Sequence, residues 1–292
     1  MTGGAGPAAL ALPSLRSRLL RHVLLPLGLT WLAGAVVSIS VARHFTQAAY
    51  DRSLLDDAYS VASNVRANDA GLELINYSVL ADLCKTGDAF EAEVKRLEHE
   101  VDIVAELGIR QMRHDVCAFR RPLDQNGLAA FEEQMPFMVE GARRVTEYAK
   151  EHGVRTMVEN HGFFANGCDR VERIIYAVDH DNYGLLYDTG NITCMDEDAF
   201  MAALRLAKLA KMIHLKDFYI RMRDPGDATQ FDCKGHWFKT MAGRYLRGAI
   251  LAQGDLDIWD IMKAIKSSKY DGGIVIEFEG LEDARYATAV SL

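Results

Sequence analysis

The chain has 292 residues, 49% hydrophobic and 25% charged, with 41 acids against 33 Lys and Arg and a formal charge of −8. That apolar share excludes an intrinsically disordered chain and allows a core of barrel size. No Asp or Glu precedes Asp51, so residues 51–292 hold every acid, and a body that acidic is a poor match for nucleic acid, whose binding relies on neutralising phosphates.

The first element in chain order is Val23–Ala42, a run of 20 residues without a charge. That length predicts a membrane-spanning helix. Arg16, Arg18 and Arg21 precede it, so the amino terminus is expected to be cytoplasmic and the protein membrane-anchored. A cleaved signal peptide is the alternative, with an overlong apolar region. AYDRSLLDDA (49–58) follows this run, and residues 14–66 resemble the amino terminus of bacterial sensor histidine kinases of the tricarboxylate-sensing kind. The expected organisation is an anchor over residues 1–68 and an α/β barrel over residues 69–292.

From Gly71 onward strand-like and helix-like stretches alternate, which predicts parallel strands. Leu72–Val79 is the first strand. A helix with apolar Val94, Leu97, Val101, Val104 and Leu107 follows and ends at Gly108. Ile109–Asp115 is the second strand, then a helix from Leu128 to His152 closed by Gly153, with Pro136 either kinking it or marking its first turn. Val154–Asn160 is a strand, Asp169 and Glu172 a capping pair for the helix through Val178, and Tyr183–Asp188 a strand. A helix beginning near Asp196 leads to the strand Lys211–His214. Residues 221–245 are too long for a simple connector and predict an active-site loop. Ala249–Ala252 is the next strand, Asp257 caps the helix carrying Ile258, Ile261, Met262 and Ile265, and Gly273–Glu277 is the last strand. Seven strands against the eight of a (β/α)₈ TIM-type barrel predict an incomplete barrel without its first β/α unit. Its open edge, beginning at Leu72–Val79, invites pairing with a second copy.

Four of these strands end in a metal-type ligand: Glu159, Asp188, His214 and Glu277. Strand ends converge over a barrel mouth. Three carboxylates and one imidazole suit Mn²⁺, Mg²⁺ or Co²⁺ better than a structural zinc. Any one of the four has a duller reading as a helix cap or a carbonyl partner; four in register favour a site. A divalent ion there would leave positions for two adjacent substrate oxygens, as in a hydroxy-ketone, and Glu159 and Glu277 would exchange the neighbouring proton. The five cysteines, at 84, 117, 168, 194 and 233, show no CxxC spacing, which fits reduced, buried thiols of cytoplasmic type.

Six motifs, MRHD (112–115), MVENHG (157–162), LLYDTGN (185–191), IHLKD (213–217), YLRG (245–248) and IEFEG (276–280), make residues 70–283 resemble the sugar phosphate isomerase/epimerase superfamily of xylose-isomerase-like barrels. The resemblance implies metal ligation by Glu159, Asp188, His214 and Glu277, with Glu159 and Glu277 as the acid/base pair. It also implies a substrate pocket lined by His114, His161 and Lys216. Epimerases of this type often carry a His where this chain has Asn191. Arg244 and Arg247 are candidates for a substrate phosphate or for a solvated loop, and Trp237 and Phe238 for a pocket wall or for loop packing. Lys85, Lys95 and Arg96 read as a solvated helix face. The expected function is a metal-dependent sugar, sugar phosphate or polyol isomerase or epimerase. An inosose-type dehydratase is the alternative. A membrane-tethered sensory remnant and an abasic-site endonuclease are readings from other classes, the latter wanting more His and a basic face.

Overall fold

The computed structural model describes residues 71–118, 121–226 and 236–292. The predicted span Val23–Ala42 and the sensor-like segment 14–66 lie outside them. Among the described residues no helix is long and apolar enough to cross a membrane.

Glu73–Leu292 form one compact unit. Its alternating pattern folds as β1 (Tyr77–Val79), α1 (Asp88–Glu106), β2 (Gln111–His114), α2 (Leu128–Glu151), β3 (Arg155–Glu159), α3 (Cys168–Val178), β4 (Tyr183–Asp188), α4 (Ala199–Leu206) and β5 (Ala210–Leu215). Then come β6 (Asp217–Arg221), β7 (Phe238–Lys239), β8 (Tyr245–Ala249), α5 (Ile258–Ser267), β9 (Gly273–Ile276) and α6 (Ala284–Ser291). Six strands form one parallel sheet in the order β1-β2-β3-β4-β5-β9. This is a TIM-barrel-like α/β fold, a curled half-barrel with β1 and β9 as its edge strands.

The main core lies between the sheet and its helices. Alternation along each strand sends Met112, Val158, Leu185, Tyr187 and Ile213 outward to meet Val94, Leu97, Val101, Val145, Val171 and Ile174 of the helices. Met157, Leu186 and Met212 face inward and fill the barrel floor. Two helices stop where a left-handed residue is needed: Gly108 has φ 73° and Gly153 φ 70°, conformations glycine adopts without a Cβ penalty. Pro136 lies inside α2, so it does not mark the first turn.

Three local expectations are corrected. Ala249–Ala252 is not a barrel strand. β6 starts directly after β5, and Tyr245–Ala249 returns antiparallel to it, Asp217 opposite Ala249 and Arg221 opposite Tyr245. Of the expected loop, the described residues Arg221, Phe238–Lys239 and Tyr245 belong to a folded flap of β6, β7 and β8. Asp169 and Glu172 do not cap α3: both bind Arg205, at 2.6 and 2.5 Å, while the Glu197 carboxylate accepts from the Cys168 N–H at 3.2 Å. Asp257 does cap α5, accepting from the Asp260 N–H at 3.0 Å.

The third correction concerns α1. Lys85 and Arg96 are not merely solvated, because they hold the buried Glu93 at 2.9 and 2.8 Å, and the Asp82 N–H adds a third donor at 3.0 Å. Burial alone would raise the Glu93 carboxyl, but these donors hold it down at about 2, from an ordinary 4.5. A depressed carboxylate contributes stability above its unfolded value and loses it as pH falls through its folded one. Glu93→Gln is therefore expected to cost roughly 2–3 kcal/mol at neutral pH. Urea unfolding of the two proteins checks this, with the gap between them narrowing as pH falls from about 4.5 towards about 2.

Candidate metal centre

The inward face of the sheet carries the chemistry at its carboxyl end. Arg113 leaves β2 on this face, Glu159 ends β3, Asp188 ends β4 opposite His214 of β5, and Glu277 follows β9. One ligand atom from each of Glu159, Asp188, His214 and Glu277 lies within 4.8 Å of the others. The structure thus brings together the four residues read from the strand ends.

Each carboxylate is held in its own way. Asp188 Oδ1 accepts from the N–H groups of Gly190 and Asn191 at 2.8 and 2.7 Å. Its other oxygen, Oδ2, is buried without a hydrogen bond; the Lys216 ammonium is 3.5 Å away. Glu159 Oε1 accepts from the Asn191 amide at 2.9 Å, and Oε2 forms an ion pair with Arg113 Nε at 2.5 Å. Glu277 meets His214 Nδ1 at 2.7 Å through Oε2, and Lys216 Nζ at 2.8 Å through Oε1. Lys216 also reaches Glu279 at 3.3 Å and the Asn191 Oδ1 at 3.2 Å.

Five carboxylates, of Asp115, Glu159, Asp188, Glu277 and Glu279, thus share two fixed cations, Arg113 and Lys216. This surplus of negative charge, the orphaned Asp188 Oδ2 and an oxygen-rich donor set fit a divalent cation. Burial drives the Asp188 carboxyl well above the usual range, and the charges on Glu277 and Glu159 push the same way. Burial would also raise Glu277, but Lys216 and His214 hold it far below. The Lys216 ammonium would be discharged by burial, yet the surrounding acids keep its pKa well above normal. Added Mn²⁺ or Mg²⁺ is therefore expected to raise Tm, by about 2.7 kcal/mol of stability at a hundredfold excess over Kd. Differential scanning calorimetry checks this, and Asp188→Asn should lose most of the gain.

The expected pocket residues divide. Lys216 is 2% exposed and central to the acids. His161 meets Arg113 Nη2 at 2.7 Å and Asp115 at 3.2 Å. His114 is a correction: it is fully buried on the outward face, its Nδ1 bonded to the Asp115 carbonyl at 2.9 Å and its ring near Tyr183. Successive strand residues face opposite ways, so the site residues of MRHD are Arg113 and Asp115. Arg247, the candidate for a substrate phosphate, has its guanidinium 5.1 Å from the Tyr219 ring and 5.2 Å from Trp237. Arg244 is paired with Asp196 at 2.6 Å. Phe238 packs with Phe163, Phe218 and Leu246. The flap sits tight on the site's edge: a Cβ at Gly248 would fall 2.3 Å from the Glu279 backbone, so only glycine fits.

Arg113, Asp115 and Glu279 were missed as site residues. Counting alternation back from Asp115 or forward from Met112, which is apolar and outward, would have found Arg113. Glu279 lies two residues beyond Glu277, on the same face had the strand continued, and only that parity pointed to it.

Among curated proteins, the chain is similar to inosose dehydratase of Lactiplantibacillus plantarum, 24% identical over 216 residues, 72% of this chain and 68% of that one. It is also similar to the Clostridium perfringens enzyme, 23% identical over 149 residues. The chain spans about half the length of the latter, 48%. Among solved structures it resembles the probable 3-DHS dehydratase AsbF of Bacillus anthracis, with TM-score 0.60, 15% identity and 80% of each chain covered. A Mycobacterium smegmatis xylose isomerase-like barrel in complex with magnesium gives TM-score 0.57 and 15% identity, over 77% of this chain and 72% of that one. At such identities these structures speak for the fold. The xylose isomerase-like TIM barrel family matches residues 46–291, most of the sequence, and the chain belongs to that family.

Proposed function

We propose that the protein is a divalent-metal enzyme that removes the proton beside the ketone of a polyhydroxylated substrate, a sugar or polyol ketone, and then expels a β-hydroxyl as water. The observation that carries this reading is the Lys216 ammonium, buried and 2.8 Å from Glu277, at the edge of a cluster fit for a metal. A cation beside a carboxylate supplies acid and base side by side.

Glu159, Asp188, His214 and Glu277 would hold the ion, which supplies Lewis acidity to the ketone and its neighbouring hydroxyl. Glu277 is the more accessible of the two carboxylates and is assigned the base: its side chain is 31% exposed, against 7% for Glu159. The α C–H bond breaks, its proton passes to Glu277, and the electron pair moves into the carbonyl. Lys216 then protonates the departing β-hydroxyl, which leaves as water while the C=C bond forms. Similarity to inosose dehydratases supports the polyol ketone.

The second reading is epimerisation or isomerisation, in which the proton returns to carbon and nothing leaves. The shared carboxylate pair Glu159 and Glu277 supports it; Asn191, where epimerases of this type often carry a His, favours dehydration. Incubating the full chain with Mn²⁺ in deuterated water, with inososes, ketoses and ketose phosphates, tests both. Metal-dependent deuterium uptake with loss of water supports the first reading, and uptake with a changed sugar but no water loss supports the second. A folded, metal-loaded protein that shows neither contradicts both.

A further inference from the structure

Asn191 opens the 3₁₀ turn Asn191–Met195 after β4 and is 5% exposed. Both of its main-chain groups are fixed. Its N–H donates to Asp188 Oδ1 at 2.7 Å, and its carbonyl accepts from the amide of the buried Asn166 at 2.7 Å. From that fixed backbone the side chain spans two groups of opposite charge. Its Nδ2 donates to Glu159 Oε1 at 2.9 Å, and its Oδ1 accepts from Lys216 Nζ at 3.2 Å. A carboxylate only accepts and an ammonium only donates, so these partners leave the amide one orientation.

The three hydrogens of the Lys216 ammonium face four oxygens. Glu277 Oε1 is at 2.8 Å, Asn191 Oδ1 at 3.2 Å, Glu279 Oε2 at 3.3 Å and Asp188 Oδ2 at 3.5 Å. The farthest, Asp188 Oδ2, is the buried oxygen that takes no hydrogen bond. The stem of Lys216 is confined as well: a Cβ on Gly190 would fall 2.9 Å from its Cγ. Of these oxygens, that of Asn191 alone carries no formal charge, so it draws a hydrogen from Lys216 without adding an acid to the cluster.

On the reading of this site as a metal centre, we infer that Asn191 is a positioning residue that acts through Lys216. It holds the ammonium off Asp188 Oδ2 and so keeps that oxygen open to a divalent ion while a proton donor stays beside it. Without the Asn191 oxygen, the third hydrogen of Lys216 turns to Asp188, and an internal cation competes with the metal.

The test titrates Mn²⁺ into the full chain by calorimetry, as wild type, Asn191→Leu, Lys216→Met and the double variant. Leucine has nearly the shape of asparagine but neither its donor nor its acceptor. Asn191→Leu is expected to bind Mn²⁺ about 10–100-fold more weakly, as loss of a residue that orients a metal ligand does. Lys216→Met removes the competing cation. It should strengthen binding in both backgrounds, and by about tenfold more in Asn191→Leu, a coupling within the range for residues in contact. Wild-type affinity in folded Asn191→Leu overturns the inference. So does a loss that Lys216→Met recovers no better than it strengthens the wild type, because Asn191 would then act on the ligands without Lys216. Should Asn191→Leu not fold, manganese-loaded crystals of the wild type decide. An ion on Asp188 Oδ2 with Lys216 still bonded to Asn191 upholds the inference, and an Oδ2 bonded to Lys216 overturns it. Affinity is read without turnover, so a protein that binds Mn²⁺ in this pattern yet expels no water contradicts the proposed reaction alone. A wild type that binds no Mn²⁺ contradicts both.

Discussion

Glu277→Gln is expected to abolish α-proton exchange while leaving the fold intact. The amide keeps one oxygen that can coordinate an ion, but it no longer takes a proton at working pH. Losing a positioned base costs about 10²–10⁴-fold in rate, so exchange in deuterated water should fall by that range. The variant also gives up the ion pairs of Glu277 with Lys216 and His214, so it is expected to be less stable at neutral pH, although Lys216 still keeps Asp188 and Glu279. The checks are deuterium uptake by mass spectrometry and Tm. Wild-type exchange in the folded variant would remove Glu277 from the chemistry.

Lys216→Met should separate the two halves of the proposed reaction. Without the ammonium no acid meets the departing hydroxyl, so water loss drops by about 10²-fold or more while α-proton exchange persists. Stability responds as well, and in a metal-dependent way. Lys216 is 2% exposed among Asp188, Glu277 and Glu279, and breaking a buried pair by deleting one partner costs about 3–5 kcal/mol. A divalent ion restores part of the missing positive charge, so the loss should be larger in chelator than in Mn²⁺. Denaturant unfolding under the two conditions measures this. Equal losses would mean that ion and ammonium do not share one electrostatic site.

The sequence disclosed the four strand-final ligands because a parallel strand that ends in a charge after an apolar run leaves little choice about where that charge goes. Glu159, Asp188, His214 and Glu277 come together as those endings imply. The helices were equally readable, since Gly108 and Gly153 occupy left-handed positions where few other residues are comfortable. What escaped depended on single-residue parity and on partners distant in sequence. His114 and Arg113 are neighbours in one motif, yet strand alternation sends one to the core and the other to the site. Ala249 begins the apolar stretch Ala249–Ala252 that resembles a barrel strand, but the register with Asp217 makes it the end of an antiparallel arm. Lys85 and Arg96 looked solvated because the acid they hold, Glu93, is buried by the fold and takes a further donor, the Asp82 N–H, from the loop before its helix. Sequence periodicity reports which face a residue occupies, and only tertiary structure reports what it meets there.

The central claim is that one divalent ion binds at the mouth of this half-barrel. Crystals of the protein soaked in Mn²⁺ and measured near the manganese absorption edge test it directly. The account predicts one strong anomalous peak about 2.0–2.6 Å from carboxylate oxygens of Glu159, Asp188 and Glu277 and from a ring nitrogen of His214. Crystals that bind manganese elsewhere, or not at all, while Lys216 stays locked among the same acids, would contradict it.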